Sequence, residues 1–143
     1  MSFQADVRAG VLSELASYAT AADVKLSIYG GRPRTLKPSH AFVDVMRETI
    51  VYTGAMMSRT VQVDIVLIHG SFDSEVAVAQ KDAFVDGFID QIRDNQFSAA
   101  GENTTLGVVS TEDTPTFVPD WLPTAEQRTY YATRMTLEGF QGD

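Results

Sequence analysis

Apolar side chains recur every three or four positions at Phe3, Val7, Val11, Leu15 and Tyr18, with Leu12 beside them. That spacing predicts an amphipathic helix with one face on a core, and Ser2 is placed to cap its start. From Val24 the period drops to two. Val24, Leu26 and Ile28 alternate with Lys25 and Ser27, the pattern of a half-buried strand, and Gly30-Gly31 ends it. Residues 32–38 hold two prolines and three basic side chains, so they read as an exposed extended loop. Residues 41–52 and 56–69 are rich in β-branched and apolar types, with Thr53-Gly54 as a turn between them, which predicts a long hairpin. In its second arm Val61, Val63, Ile65 and Leu67 share one face. Gln62 and Asp64 open the other face, but Val66 and Ile68 close it, so this strand ends covered on both sides and belongs in the middle of a sheet.

After residues 70–74 a second helix is expected, capped by Asp73 or Ser74, with Val76, Ala79, Ala83, Phe84, Gly87, Phe88 and Ile92 on its core face. A short strand at 106–109 follows a polar stretch. Residues 111–124 then carry three prolines together with Phe117, Val118, Trp121 and Leu122, and read as an irregular loop. The last strand is expected at 128–137, where Tyr131, Thr133, Met135 and Leu137 alternate with Tyr130, Ala132, Arg134 and Thr136, and Gly139 onward reads as a frayed tail. This order predicts one α+β domain over 1–143: a mixed or antiparallel sheet with a long hairpin, packed on one face by two helices. The helix between strands leaves a crossover, and hence a mixed sheet, open.

Composition narrows the chemistry. Hydrophobic residues make up 44% of the 143 positions, enough for a core of its own. The chain has no cysteine, which excludes disulfides, thiolate metal sites and thiol catalysis. Its start lacks the pattern of a signal peptide and no stretch is long and apolar enough to cross a bilayer, so neither secretion by that route nor membrane insertion is expected. Nineteen acidic against eleven basic residues give a formal charge of −8, which repels a phosphate backbone.

Candidate sites are few. His40 and His69 are the only histidines and stand on different elements, so a histidine-based metal site is not expected. The run His69-Gly70-Ser71-Phe72-Asp73 has the residue types of a hydrolytic triad without the nucleophile elbow, and helix capping explains its hydroxyl and carboxylate groups more simply. Gly30-Gly31-Arg32 matches neither phosphate-binding glycine motif. No cofactor is expected. Asp82, Asp86, Asp90 and Asp94 repeat every four residues along the second helix, a mutually repulsive stripe that is solvated, answered by a basic partner, or an acidic lining past which DNA slides without sticking. Arg32, Arg34 and Lys37 are the basic loop that could answer it in a neighbouring copy. Phe117 and Trp121 either fold back over the sheet or anchor a partner subunit.

Taken together, the first helix (VRAGVLSELAS), the strand ending in Gly30, the proline-bearing loop, the stretch from Arg59 to Val66, the second helix and the closing strand (YYATRMTL) resemble the small tail terminator proteins of long-tailed phages of actinobacteria. The resemblance covers nearly the whole chain in order and spacing, without a diagnostic motif, and the proline-rich 111–124 segment departs from it. It implies a non-enzymatic virion protein of the tail and neck, assembled in the host cytoplasm. Such a protein forms a ring, typically hexameric, that caps the tail tube, meets the tube protein and the head–tail connector or stopper, and leaves a lumen through which DNA passes without specific binding. Arg32, Arg34, Lys37, Asp82, Asp86, Asp90, Phe117 and Trp121 are the expected contact residues. Two alternatives stand beside it: another neck or tail-tube subunit, and a small ligand-binding or enzyme domain using His69, Asp64 or Asp73.

Overall fold

In the computed structural model, residues 2–69, 75–101 and 103–141 are described. Helix α1 (Phe3–Ala21) starts where the Ser2 side chain accepts a hydrogen bond from the Ala5 N–H at 3.1 Å. It buries Phe3, Val7, Val11 and Leu15, the stripe the spacing predicts. It stops in a Schellman closure: Val24 N–H donates to Ala19 O and Asp23 N–H to Thr20 O, with Asp23 at a left-handed φ of 56°. This closure corrects the first strand. Val24 is drawn into the helix exit and residues 25–26 form no ladder, so β1 is only Ser27–Tyr29.

Strands β2 (His40–Thr53) and β3 (Met56–Ile68) form the long hairpin, turned at Gly54 with φ 64°. Helix α2 (Glu75–Asp94) leads through a turn to β4 (Thr104–Phe117), and β5 (Tyr130–Gln141) closes the fold. The five strands among the described residues form one sheet in the order β1-β2-β3-β5-β4, with β1 parallel to β2 and every other neighbour antiparallel. The sheet is therefore mixed, β3 is central as its apolar run implied, and the fold class read from the sequence holds. The positions suggested for capping α2 lie outside the described residues.

Two expectations at the C-terminal end are overturned. Residues 111–117 are not a loop: they continue β4 against β5, through register shifts at Val108/Ser110 and Thr114/Phe117. Pro115 sits within the second shift on an edge strand, where its missing N–H breaks no ladder. Residues 139–141 are not a frayed tail either. Gly139 is buried in β5, and a Cβ there would come within 2.8 Å of a Val7 methyl, so α1 packs directly on that backbone. The strand also begins two residues later than expected, at Tyr130.

Both helices lie on one face. There α1, Val85, Phe88 and Ile92 of α2, and the inward side chains of β2, β3, β4 and β5 make the larger core cluster. The other face is covered at one end only, where Leu36, Phe117 and Leu122 close over Phe42, Val66, Ile68 and Ala132. At its opposite end that face carries no helix or loop among the described residues, and the hairpin runs on past the last described residue of β5.

Candidate functional site

Four elements meet in a polar cluster at the end of β3. His69 Nε2 lies 2.7 Å from Thr133 Oγ1, and that hydroxyl donates to Asp113 Oδ1 at 3.2 Å. A hydroxyl has one proton to give, so Thr133 accepts from His69, Nε2 carries the imidazole proton and Nδ1 is left as an acceptor. Tyr131 O–H and Lys81 Nζ both donate to Asp113 Oδ2, at 3.1 and 2.8 Å, and Lys81 also reaches Asp82 at 2.5 Å. Burial, reinforced by the Lys81 charge and opposed by Asp113, lowers the His69 pKa to about 4. Burial works against the charge on Lys81, but its hydrogen bonds to Asp113, Asp82 and Tyr131 prevail and raise its pKa. For Asp113 burial again opposes the charge, and donation by Lys81 and Tyr131 overcomes it and lowers the pKa. At neutral pH the cluster is thus an uncharged imidazole beside a fixed ammonium–carboxylate pair. It can hold a hydrogen-bonding group, but neither His69 nor Lys81 is tuned to move a proton near pH 7. His69 and Lys81 border a cleft of about 660 Å³ between the two helices and the end of β3, floored by Tyr18, Leu26, Leu67 and Phe84.

On the opposite face an ion network ties the covering segments down. Asp44, whose side chain is 5% exposed, receives Arg32 Nε at 2.6 Å and Arg134 at 2.9 Å. Arg134 reaches Asp64 at 3.4 Å, and Asp64 accepts from the Thr136 hydroxyl at 2.8 Å. The Arg32 guanidinium lies over the Trp121 ring at 4.8 Å, Trp121 Nε1 donates to Pro33 O at 2.9 Å, and the ring meets Phe42 edge-on at 5.3 Å. Arg32, Phe117 and Trp121, three of the expected contact residues, are therefore brought together by their own chain as a cover over the sheet. Arg34 and Lys37 stand exposed on the same loop, without an ion pair to a described residue. Asp82 is engaged by Lys81, Asp90 is 3.4 Å from Arg93, and Asp86 is exposed, so the acidic stripe faces water. Asp64 belongs to the ion network and not to the His69 cluster; Asp73 lies outside the described residues. Among the described residues no group of three or more His, Asp or Glu is close enough to hold a metal ion.

The third feature is apolar. Among the described residues the ladder between β3 and β5 runs to Arg59↔Gln141, and the hairpin continues past that row in β2 and β3. Val51, Tyr52, Met56 and Met57 are exposed there, Tyr52 by 72% and Met56 by 58%, and Ile50 is exposed in the row beside them. The basic loop and Trp121 drew attention in the sequence because basic and aromatic residues stand out; the hairpin tip did not, because its residues read as ordinary strand formers. Lys81, Asp113, Tyr131 and Thr133 were also missed; the one available signal was the polar Thr133 on the inward face of the last predicted strand, since Lys81 fell on a helix and Asp113 in an expected loop. No protein-family model matches this chain, and no curated protein matches it.

Proposed function

We propose that this chain is a structural assembly subunit of a phage neck, a tail terminator whose copies form a ring on the end of the tail tube and join it to the head–tail connector. The observation that carries the reading is the projecting hairpin. Four apolar side chains exposed on the hairpin tip, with Ile50 beside them, cost solvation in the isolated subunit, and burial against protein removes that cost. The α+β scaffold and the resemblance of its segments in order and spacing supply the kind of assembly. The surplus of acidic over basic residues suits a lumen past which DNA slides, because it gives phosphates nothing to grip.

The test is the absolute mass by light scattering across concentration, alone and with isolated tail tubes. A ring, or a monomer that assembles on tube ends, is the expected result. A monomer indifferent to tubes at every concentration refutes the reading. The His69 cleft favours a second reading, a small ligand-binding domain. It predicts a ligand that raises the melting temperature in a metabolite screen and loses that effect when His69→Phe is made.

A further inference from the structure

The chain is acidic as a whole, yet one cleft in it has a charged lining that is basic only. A hollow of about 580 Å³ lies between the last turns of α1, residues 24–26, β1 and residues 37–40. Lys25 and Lys37, two of the three lysines in the sequence, border it. Neither has an ion pair to a described residue, whereas Lys81 is held by Asp82 and Asp113. None of the described residues lining this cleft is Asp or Glu.

His40 decides what the cleft is for. It is only 8% exposed, and its ring is fixed edge-on against Tyr29 at 5.2 Å. Nδ1 accepts from the Lys37 N–H at 3.4 Å, so the imidazole proton sits on Nε2. Burial, and then the Lys37 charge, lower its pKa, so the ring is neutral near pH 7. Nε2–H has no acceptor among the described residues, yet no side-chain nitrogen or oxygen sealed inside them lacks a partner. The donor is therefore open, on the cleft that His40 borders.

The local backbone holds these groups together. Ser39, at a left-handed φ of 67°, donates its N–H to Ile68 O and accepts from Ser27 N–H, which pins the segment from Lys37 to His40 against β1. Thr20, Ser27 and Ser39 bring hydroxyl groups to the same cleft. The carbonyl end of α1, which would repel an anion, is muted: Tyr18, Ala19 and Thr20 O accept from Ala22, Val24 and Asp23 N–H. Two ammonium groups, an imidazole N–H and hydroxyls without a counter-charge match a doubly charged anion with several oxygens better than a carboxylate with two. Leu26, Ile28 and Pro38 add an apolar wall, and clefts of roughly 300–1,000 Å³ are those that hold small organic molecules.

We infer that this cleft binds a small organic phosphate monoester, with Lys25, Lys37 and the Nε2–H of His40 on the phosphate and the apolar wall on the organic part. The site is separate from the hairpin and does not depend on the ring reading.

Phenyl phosphate is the probe, and the two histidines supply the readout. His69 borders the other cleft, so its ring signals are the internal control. In a titration of the full chain at physiological salt followed by histidine ring NMR, the His40 signals should move to saturation while those of His69 stay. Lys25→Gln and Lys37→Gln, at exposed positions, should each weaken binding about tenfold and leave the melting temperature unchanged. Inorganic phosphate and phenol, which each make half of the contacts, should bind at least about tenfold more weakly than the ester. Absence of saturation at His40, equal movement of His69, or unchanged affinity in both lysine variants overturns the site. Inorganic phosphate that binds as tightly as the ester overturns the organic part. An acidic peptide that saturates His40 where phenyl phosphate does not overturns the ligand class and assigns the cleft to a protein partner. None of these outcomes bears on the ring, which light scattering tests separately.

Discussion

Replacing His69 should remove a measurable part of the pH dependence of stability. In the fold its pKa is about 4, set by burial and by the Lys81 charge, against 6.5 for the free side chain. The folded state therefore binds this proton less readily than the unfolded chain. Stability from the neutral imidazole is fully present above pH 6.5, falls as the unfolded chain takes up the proton, and changes no further below about pH 4. At about 1.4 kcal/mol for each tenfold difference in proton affinity the gap is worth at most roughly 3 kcal/mol; with part of the ring open to water, about 2 kcal/mol is the working figure. His69→Phe keeps an aromatic ring against Tyr131, whose centroid lies 5.1 Å away, and cannot titrate. His40 is shifted down as well, by burial and then by Lys37, but it is present in both proteins and cancels in the comparison. Urea unfolding at intervals from pH 7 to pH 4.5 gives the two stabilities directly. Their difference should shift by about 2 kcal/mol across that range, with the wild type losing more. Parallel curves would refute the burial of a neutral imidazole.

Trp121→Ala should cost about 2–3 kcal/mol in chemical denaturation, because it removes a half-buried ring from Phe42 and Phe117 and the hydrogen bond to Pro33 O. An unchanged midpoint would show that the ring does not cover the sheet. Gly10→Ala should lower stability by roughly 1–3 kcal/mol although alanine favours helices, because the new Cβ would meet the Ala99 carbonyl oxygen at 2.3 Å; a gain in stability would disprove that approach. Asp44→Asn should cost about 2–4 kcal/mol by thermal or urea unfolding, since two guanidinium groups then share a neutral amide.

The elements with a clean period were legible. The α1 stripe, the hairpin and the two-sided burial at the end of β3 follow from residues that report their own surroundings. β4 was hidden because an edge strand with its middle in water has no buried face to impose alternation, and two register shifts break what period remains. Its one proline, Pro115, looks like loop punctuation until one knows that the strand lies on an edge. The His69 cluster was hidden for a different reason: His69 and Thr133 are 64 positions apart, and the partners come from four elements whose adjacency depends on the strand order. Reading along the chain instead offered Ser71 and Asp73 as neighbours of His69.

The destination of Trp121 changes what the surface has left to offer. With Arg32, Phe117 and Trp121 bound to Asp44, Phe42 and Pro33, the cover is part of the fold, and damage to it should appear first as lost stability. The hairpin tip stands in the opposite relation. Tyr52 and Met56 lie beyond the last described β5 partner of β3, are exposed and stand outside both core clusters, so the isolated subunit gains little from them. Paired substitutions separate the two roles: Trp121→Ala should lower the melting temperature, whereas Tyr52→Ser should leave it unchanged and abolish assembly. If Tyr52→Ser unfolds the protein instead, the tip belongs to the core and the exposed hairpin cannot carry an assembly function.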